Sequence, residues 1–149
     1  MSDHPIPDPL RSGRLDVTTV DYHAGGEPFR IVTRGVPEIP GATILEKRRW
    51  AAGHLDHVRR LLVNEPRGHA DMYGCFVVEP EDGGADLGVL FFHNEGYSTA
   101  CGHGTIALVT WALESGRLPM TGPRRRSPWT SRPAAWPASR AATRRPAAC

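Results

Sequence analysis

The chain reads as an α+β domain, and three observations carry that reading. Short β-branched or aromatic runs recur at residues 15–20, 29–33, 72–78 and 87–93. Residues 43–64 have helical composition, with apolar side chains near 3.6 spacing. Residues 106–113 are apolar almost all round, which suits a helix buried inside a domain.

Taken in order, residues 1–13 are rich in proline and polar groups and predict a loose lead-in. Leu15 to Val20 predicts the first strand and Phe29 to Thr33 the second, with Gly25-Gly26 as the sharp connection and Pro28 at the start of the strand it precedes. His23 and Glu27 fall short of a metal site, because a third ligand at suitable spacing is missing. Leu45, Ala52, Leu55, Val58, Leu61 and Leu62 define the apolar stripe of one long helix, weakened by roughly 1 kcal/mol at Gly53 relative to alanine. Glu46, Lys47, Arg48, Arg59 and Arg60 then fall on its wet faces, and His54 with His57 reads as a solvated pair. After the break at residues 65–71, strands 72–78 and 87–93 flank the turn signal Glu81-Asp82-Gly83-Gly84-Ala85. Cys75 shares a strand face with Tyr73 and reads as packing. Ser115-Gly116, followed by Pro119, stops the last helix.

Composition narrows the function classes. The 149 residues carry a formal charge of +2, unevenly spread: residues 121–149 hold seven arginines and no acid. That leaves eleven basic against sixteen acidic residues in 1–120, a net −5, which argues against a nucleic-acid footprint there. Cys75, Cys101 and Cys149 form no paired framework, which fits a reducing compartment. Neither a secretion signal nor an apolar run of about 20 residues is visible. A soluble cytoplasmic protein is expected, without nucleic acid or membrane as partner.

The chemistry concentrates at Asn94 to Leu108, where a polar loop runs into Cys101-Gly102-His103-Gly104 and then the apolar helix. A cysteine in the first turn lies at the positive end of the helix dipole, which stabilises a thiolate and lowers its pKa. The N–H groups of Gly102, His103 and Gly104 have no acceptor inside the helix and suit a carboxylate. Thiolate and carboxylate cradle on one turn suggest proton abstraction next to a carboxylate. A buried, inert cysteine beside a tight turn is the bland alternative.

Cys101-Gly102-His103-Gly104-Thr105-Ile106-Ala107 resembles the first catalytic-cysteine motif of the proline racemase family, which includes hydroxyproline epimerases and trans-3-hydroxy-L-proline dehydratases. Two further stretches resemble the same family in the right order: His23 to Arg30, and Pro66-Arg67-Gly68-His69-Ala70-Asp71-Met72-Tyr73-Gly74. The resemblance implies one lobe of the diaminopimelate-epimerase-like fold, a curved mixed sheet around a central helix, over residues 14–120. It implies an enzyme needing no metal or cofactor, acting on proline or hydroxyproline, with a homodimer in the full-length family. Cys101 is then the acid/base, Gly102, His103 and Gly104 bind the substrate carboxylate or line the site, and Tyr73 lies against the substrate ring. A second lobe supplies a cysteine in racemases and epimerases, or a threonine in the dehydratases. The loop Glu95-Gly96-Tyr97-Ser98-Thr99 resembles the dehydratase branch, so dehydration of trans-3-hydroxy-L-proline is the leading expectation and racemisation or epimerisation the alternative. Ala100 departs from the methionine common before the cysteine.

From Thr121 the composition changes to seven Arg, seven Ala and five Pro, with no Leu, Ile, Val, Phe, Asp or Glu. Such a stretch buries too little apolar area to offset its ordering entropy, so disorder is expected over 121–149. A shifted reading frame explains it better than a basic tail: one frame over, Pro128-Trp129-Thr130 becomes Val, Leu or Met followed by Asp. With the second lobe missing, little or no turnover by this chain alone is expected, and an inactive fragment or basic-tailed binding protein is the reading from another class.

Overall fold

A computed structural model describes residues 16–119, so the expected lead-in at 1–13 and the Arg/Pro/Ala tail at 121–149 lie outside the described residues. In chain order the elements are β1 (Thr18–Ala24), β2 (Glu27–Arg34), α1 (Ile44–His54), α2 (Asp56–Val63), β3 (Tyr73–Val78), β4 (Gly88–His93), β5 (Gly96–Ser98) and α3 (Gly102–Glu114). The strands form one mixed sheet in the order β1-β2-β3-β4-β5. Pairing is antiparallel except between β2 and β3, which run parallel and are joined across the sheet by α1 and α2.

Local chemistry accounts for most boundaries. Gly25 (φ 64°) and Gly26 (φ 95°) both adopt left-handed backbone, as a two-residue hairpin with matching twist demands. Thr43 caps α1 in a reciprocal box with Glu46, and left-handed Gly116 (φ 72°) follows the end of α3.

Both sheet faces are covered. Phe29, Ile31, Cys75 and Phe91 pack against Ala107, Leu108, Trp111 and Ala112 of α3. The alternate positions Val32, Phe76, Leu90 and Phe92 meet Ala51, Leu55, Val58 and Leu62 from α1 and α2. This period-two alternation commits β2, β3 and β4 to apolar residues on both sides.

Three expectations are corrected. Residues 43–64 form two helices, broken at Leu55 (φ −115°, ψ 8°), whose side chain is wholly buried. The break turns Leu55, Val58 and Leu62 into one core, while Leu45 (59 % exposed) and Leu61 (39 %) face outward. Lys47 and Arg59 are not on wet faces but buried, their charges received by polar partners: Lys47 Nζ donates to Glu79 O, and Arg59 donates through Nη1 to His93 O and Asn94 O and through Nε to the Asp56 carboxylate. His54 is half-buried, stacked on Trp50 with rings 4.4 Å apart, and its Nδ1–H donates to Trp50 O. The loop before Cys101 also contains the short strand β5. α3 covers one sheet face, and its outer side leaves Ile106 52 % exposed.

Candidate active site around Cys101

Cys101 is the N-cap residue of α3, extended at φ −150° and ψ 107°, with its side chain making no cap hydrogen bond. The chain arrives there from β5 through a bend held by Ser98, whose Oγ–H donates to Ala100 O at 2.7 Å. Its carbonyl takes two bonds from Thr105, N–H at 2.9 Å and Oγ–H at 2.6 Å, which anchor the first turn. Helix geometry leaves the N–H groups of Gly102, His103 and Gly104 without an intrahelical acceptor. Gly102 is exposed, and a Cβ built on it meets nothing within 4 Å, so the backbone there is open to a ligand. Gly104 differs: it is buried against Phe29 and the Cys101 sulfur.

His103 lies against the thiol, with Nδ1 3.5 Å and Nε2 3.8 Å from Sγ. Tyr73 meets the His103 ring edge-on at 5.0 Å, and Phe29 does so at 5.9 Å. Thus Cys101, Gly102, His103, Gly104 and Tyr73, named from sequence, converge on one end of α3. Tyr73 also forms part of the wall of a cavity of about 530 Å³, shared with His69, Asp71, His93 and Asn94. A second cavity, about 280 Å³, lies beside Lys47, Glu79 and Trp111 and shares no residue with the Cys101 turn.

The electrostatics overturn one expectation. Burial pushes the Cys101 thiol above its ordinary value, and Glu27 adds to the rise. The Gly104 N–H acts the other way, as the helix argument anticipates, but does not outweigh desolvation. Cys75, wholly buried on the face that meets α3, is pushed up further for the same reason, which agrees with a packing role.

Three polar struts hold the frame. Arg30 grips Asp21 with two bonds (2.8 and 2.7 Å) and donates to Leu62 O and Arg67 O, tying the first hairpin to the loop before β3. Asn94 Nδ2 donates to Val63 O, Asn64 Oδ1 and His69 O. Arg59 holds the carbonyls at the β4–β5 turn. His23 Nδ1 accepts the Gly26 N–H within the hairpin turn. No group of three or more His, Cys, Asp or Glu residues is placed to hold a metal among the described residues. No described helix is long and apolar enough to cross a membrane.

The sequence reading missed His93 and Phe29 as neighbours of this cluster. A signal existed for His93: folding the two predicted strands about the 81–85 turn pairs residue 73 with residue 93, as observed.

Residues 19–131 match the model of the family described as proline racemase. The chain belongs to the proline racemase family. It is 56% identical over 105 residues to a trans-3-hydroxy-L-proline dehydratase of Bacillus thuringiensis subsp. konkukian, covering 70% of this chain and 31% of that protein. It is likewise 56% identical over 110 residues to a 3-hydroxyproline 2-epimerase of Burkholderia multivorans, covering 74% and 33%. Among solved structures, a hydroxyproline epimerase from Agrobacterium vitis with bound trans-4-OH-L-proline superposes with a TM-score of 0.64 at 28% identity, covering 72% of this chain and 32% of that one. This proline racemase family chain therefore spans about a third of the length of the curated relatives it matches. The α+β architecture, with a mixed sheet and α3 against it, is that of the family's solved members.

Proposed function

We propose that residues 14–120 form the thiol-bearing lobe of a cofactor-independent enzyme that removes the α-proton of a proline derivative, foremost trans-3-hydroxy-L-proline. The observation that carries this reading is the placement of Cys101 at the N-cap of α3 beside His103 and the open Gly102 backbone. The substrate carboxylate binds N–H groups of the first turn, which places the α-carbon near the sulfur. The Cys101 thiolate takes the α-proton and becomes a thiol. The electron pair left on the α-carbon forms a double bond to the β-carbon as the 3-hydroxyl, protonated by a group of the opposing lobe, leaves as water. The product is pyrroline-2-carboxylate. Gly102, His103 and Gly104 line the carboxylate end, and Tyr73 borders the ring.

A second reading, epimerisation or racemisation at the α-carbon, is favoured by one observation: a 3-hydroxyproline 2-epimerase is as similar to this chain as the dehydratase. The two share the abstraction step and part at the opposing lobe, which returns a proton to the other ring face in the second case. In both, the half-exposed outer side of α3 around Ile106 is where that lobe docks.

Burial disfavours the thiolate, and ligand binding is the first function to test. Titration of the full chain with trans-3-hydroxy-L-proline, followed by backbone amide NMR, is expected to move the Gly102, His103 and Gly104 resonances. Unmoved resonances at saturating ligand refute the carboxylate cradle. Resequencing the coding DNA from codon 115 onward tests the shifted frame proposed for residues 121–149.

A further inference from the structure

We propose that His93 is a positioning residue for the Cys101 site, acting through the Tyr73 ring on His103. Tyr73 and His93 stand directly opposite one another in the antiparallel β3–β4 ladder, with ring centroids 5.3 Å apart. Tyr73 in turn meets His103 edge-on at 5.0 Å and 83°, and His103 reaches the Cys101 sulfur. The three rings therefore form a continuous row that ends at the thiol.

His93 is fixed independently of that row. Its Nδ1 accepts the Glu95 N–H at 3.2 Å, which leaves the proton of the neutral ring on Nε2 and resists rotation of the ring. Its carbonyl is held by the buried Arg59 at 2.6 Å. His103, by contrast, is half-exposed on the first turn of a helix, and its bond geometry to sulfur is loose. A side chain in that setting samples several staggered rotamers unless neighbours exclude them. Tyr73, backed by His93, excludes rotamers that swing the imidazole away from the sulfur on the β3–β4 side. The titratable groups that face the sulfur are His103 on α3, Cys75 on β3 and Glu27 at the start of β2, with Tyr73 of β3 against the His103 ring.

This inference rests on Cys101 being the reactive thiol, and the test separates the two. In the full chain, iodoacetamide labelling of the Cys101 peptide is followed by mass spectrometry across a neutral-to-alkaline pH series, apart from the Cys75 and Cys149 peptides. His93→Ala, His103→Ala and the double variant form a cycle, with far-UV circular dichroism confirming the fold of each. His93→Ala is expected to change the Cys101 labelling rate by about threefold, with little further effect in the His103→Ala background. His93→Phe, which keeps a ring against Tyr73, is expected to restore the parent rate and pH profile. Where His93→Ala fails to fold, His93→Gln, with an acceptor for the Glu95 N–H but no ring, replaces it in the cycle. An unchanged rate, or effects that add independently of His103, overturns the inference alone. A Cys101 that resists labelling in the parent at every pH overturns both it and the reading beneath it.

Discussion

Gly104 lies flat against the ring of Phe29. A Cβ at that position would collide with Phe29 Cε2, stand 2.8 Å from Cζ and reach within 2.9 Å of the Cys101 sulfur. Phe29 is wholly buried and cannot retreat. The glycine thus brings helix, sheet and thiol together, a role separate from any exposure of its backbone to ligand. Gly104→Ala gains about 1 kcal/mol of helix propensity but is expected to lose more to overpacking, a net cost of about 1–2 kcal/mol in urea denaturation.

Gly102 makes the opposite prediction. With nothing near its Cβ direction, Gly102→Ala is expected to leave stability unchanged within about 0.5 kcal/mol. In the proposed cradle the added methyl sits where a carboxylate approaches the first turn, so binding of trans-3-hydroxy-L-proline, read by calorimetry or NMR, should weaken. Equal binding by parent and variant would remove Gly102 from the cradle.

The titration of Cys101 follows from its burial. Because its folded pKa lies above the ordinary thiol value, the thiolate is scarcer at neutral pH than in an unfolded peptide, and labelling should accelerate only at more alkaline pH. The sign for stability is the same for Cys101 and Cys75. The contribution of each is complete below the unfolded thiol pKa, about 8.5, and is lost as pH rises from there through the folded value. Glu27→Gln removes one cause of the rise, so the Cys101 labelling midpoint should move down in pH.

Arg30 tests the frame rather than the chemistry. Its side chain is 14% exposed and holds Asp21 together with two carbonyls of the crossover between β2 and β3. Arg30→Ala is expected to cost about 2 kcal/mol, seen as a lower urea midpoint at unchanged slope. Arg30→Lys should recover only part of this, because a single ammonium cannot span the Asp21 carboxylate and both carbonyls.

Features governed by neighbours in the chain were legible from the residues. Gly25-Gly26 announces the hairpin, and Ser115-Gly116 the end of α3. Cys101 at the head of an apolar helix was visible for the same reason, since the glycine-flanked motif and the helix are contiguous. Lys47 and Arg59 were misread because periodicity assigns charged residues to water. Their burial depends on carbonyls at residues 79, 93 and 94, far along the chain.

The sequence by itself therefore indicated four of the five strands, the first of them several residues early and β5 not at all, together with the turns and the thiol-bearing turn, because each of these is encoded by local backbone preference and hydrophobic period. Tertiary structure alone decided the parallel pairing of β2 with β3, the break at Leu55 and the company His103 keeps. It also reversed the thiol's expected pKa shift. A helix terminus acts over one turn and is readable locally, whereas desolvation is set by everything packed around the sulfur, from Phe29 on β2 to Cys75 on β3.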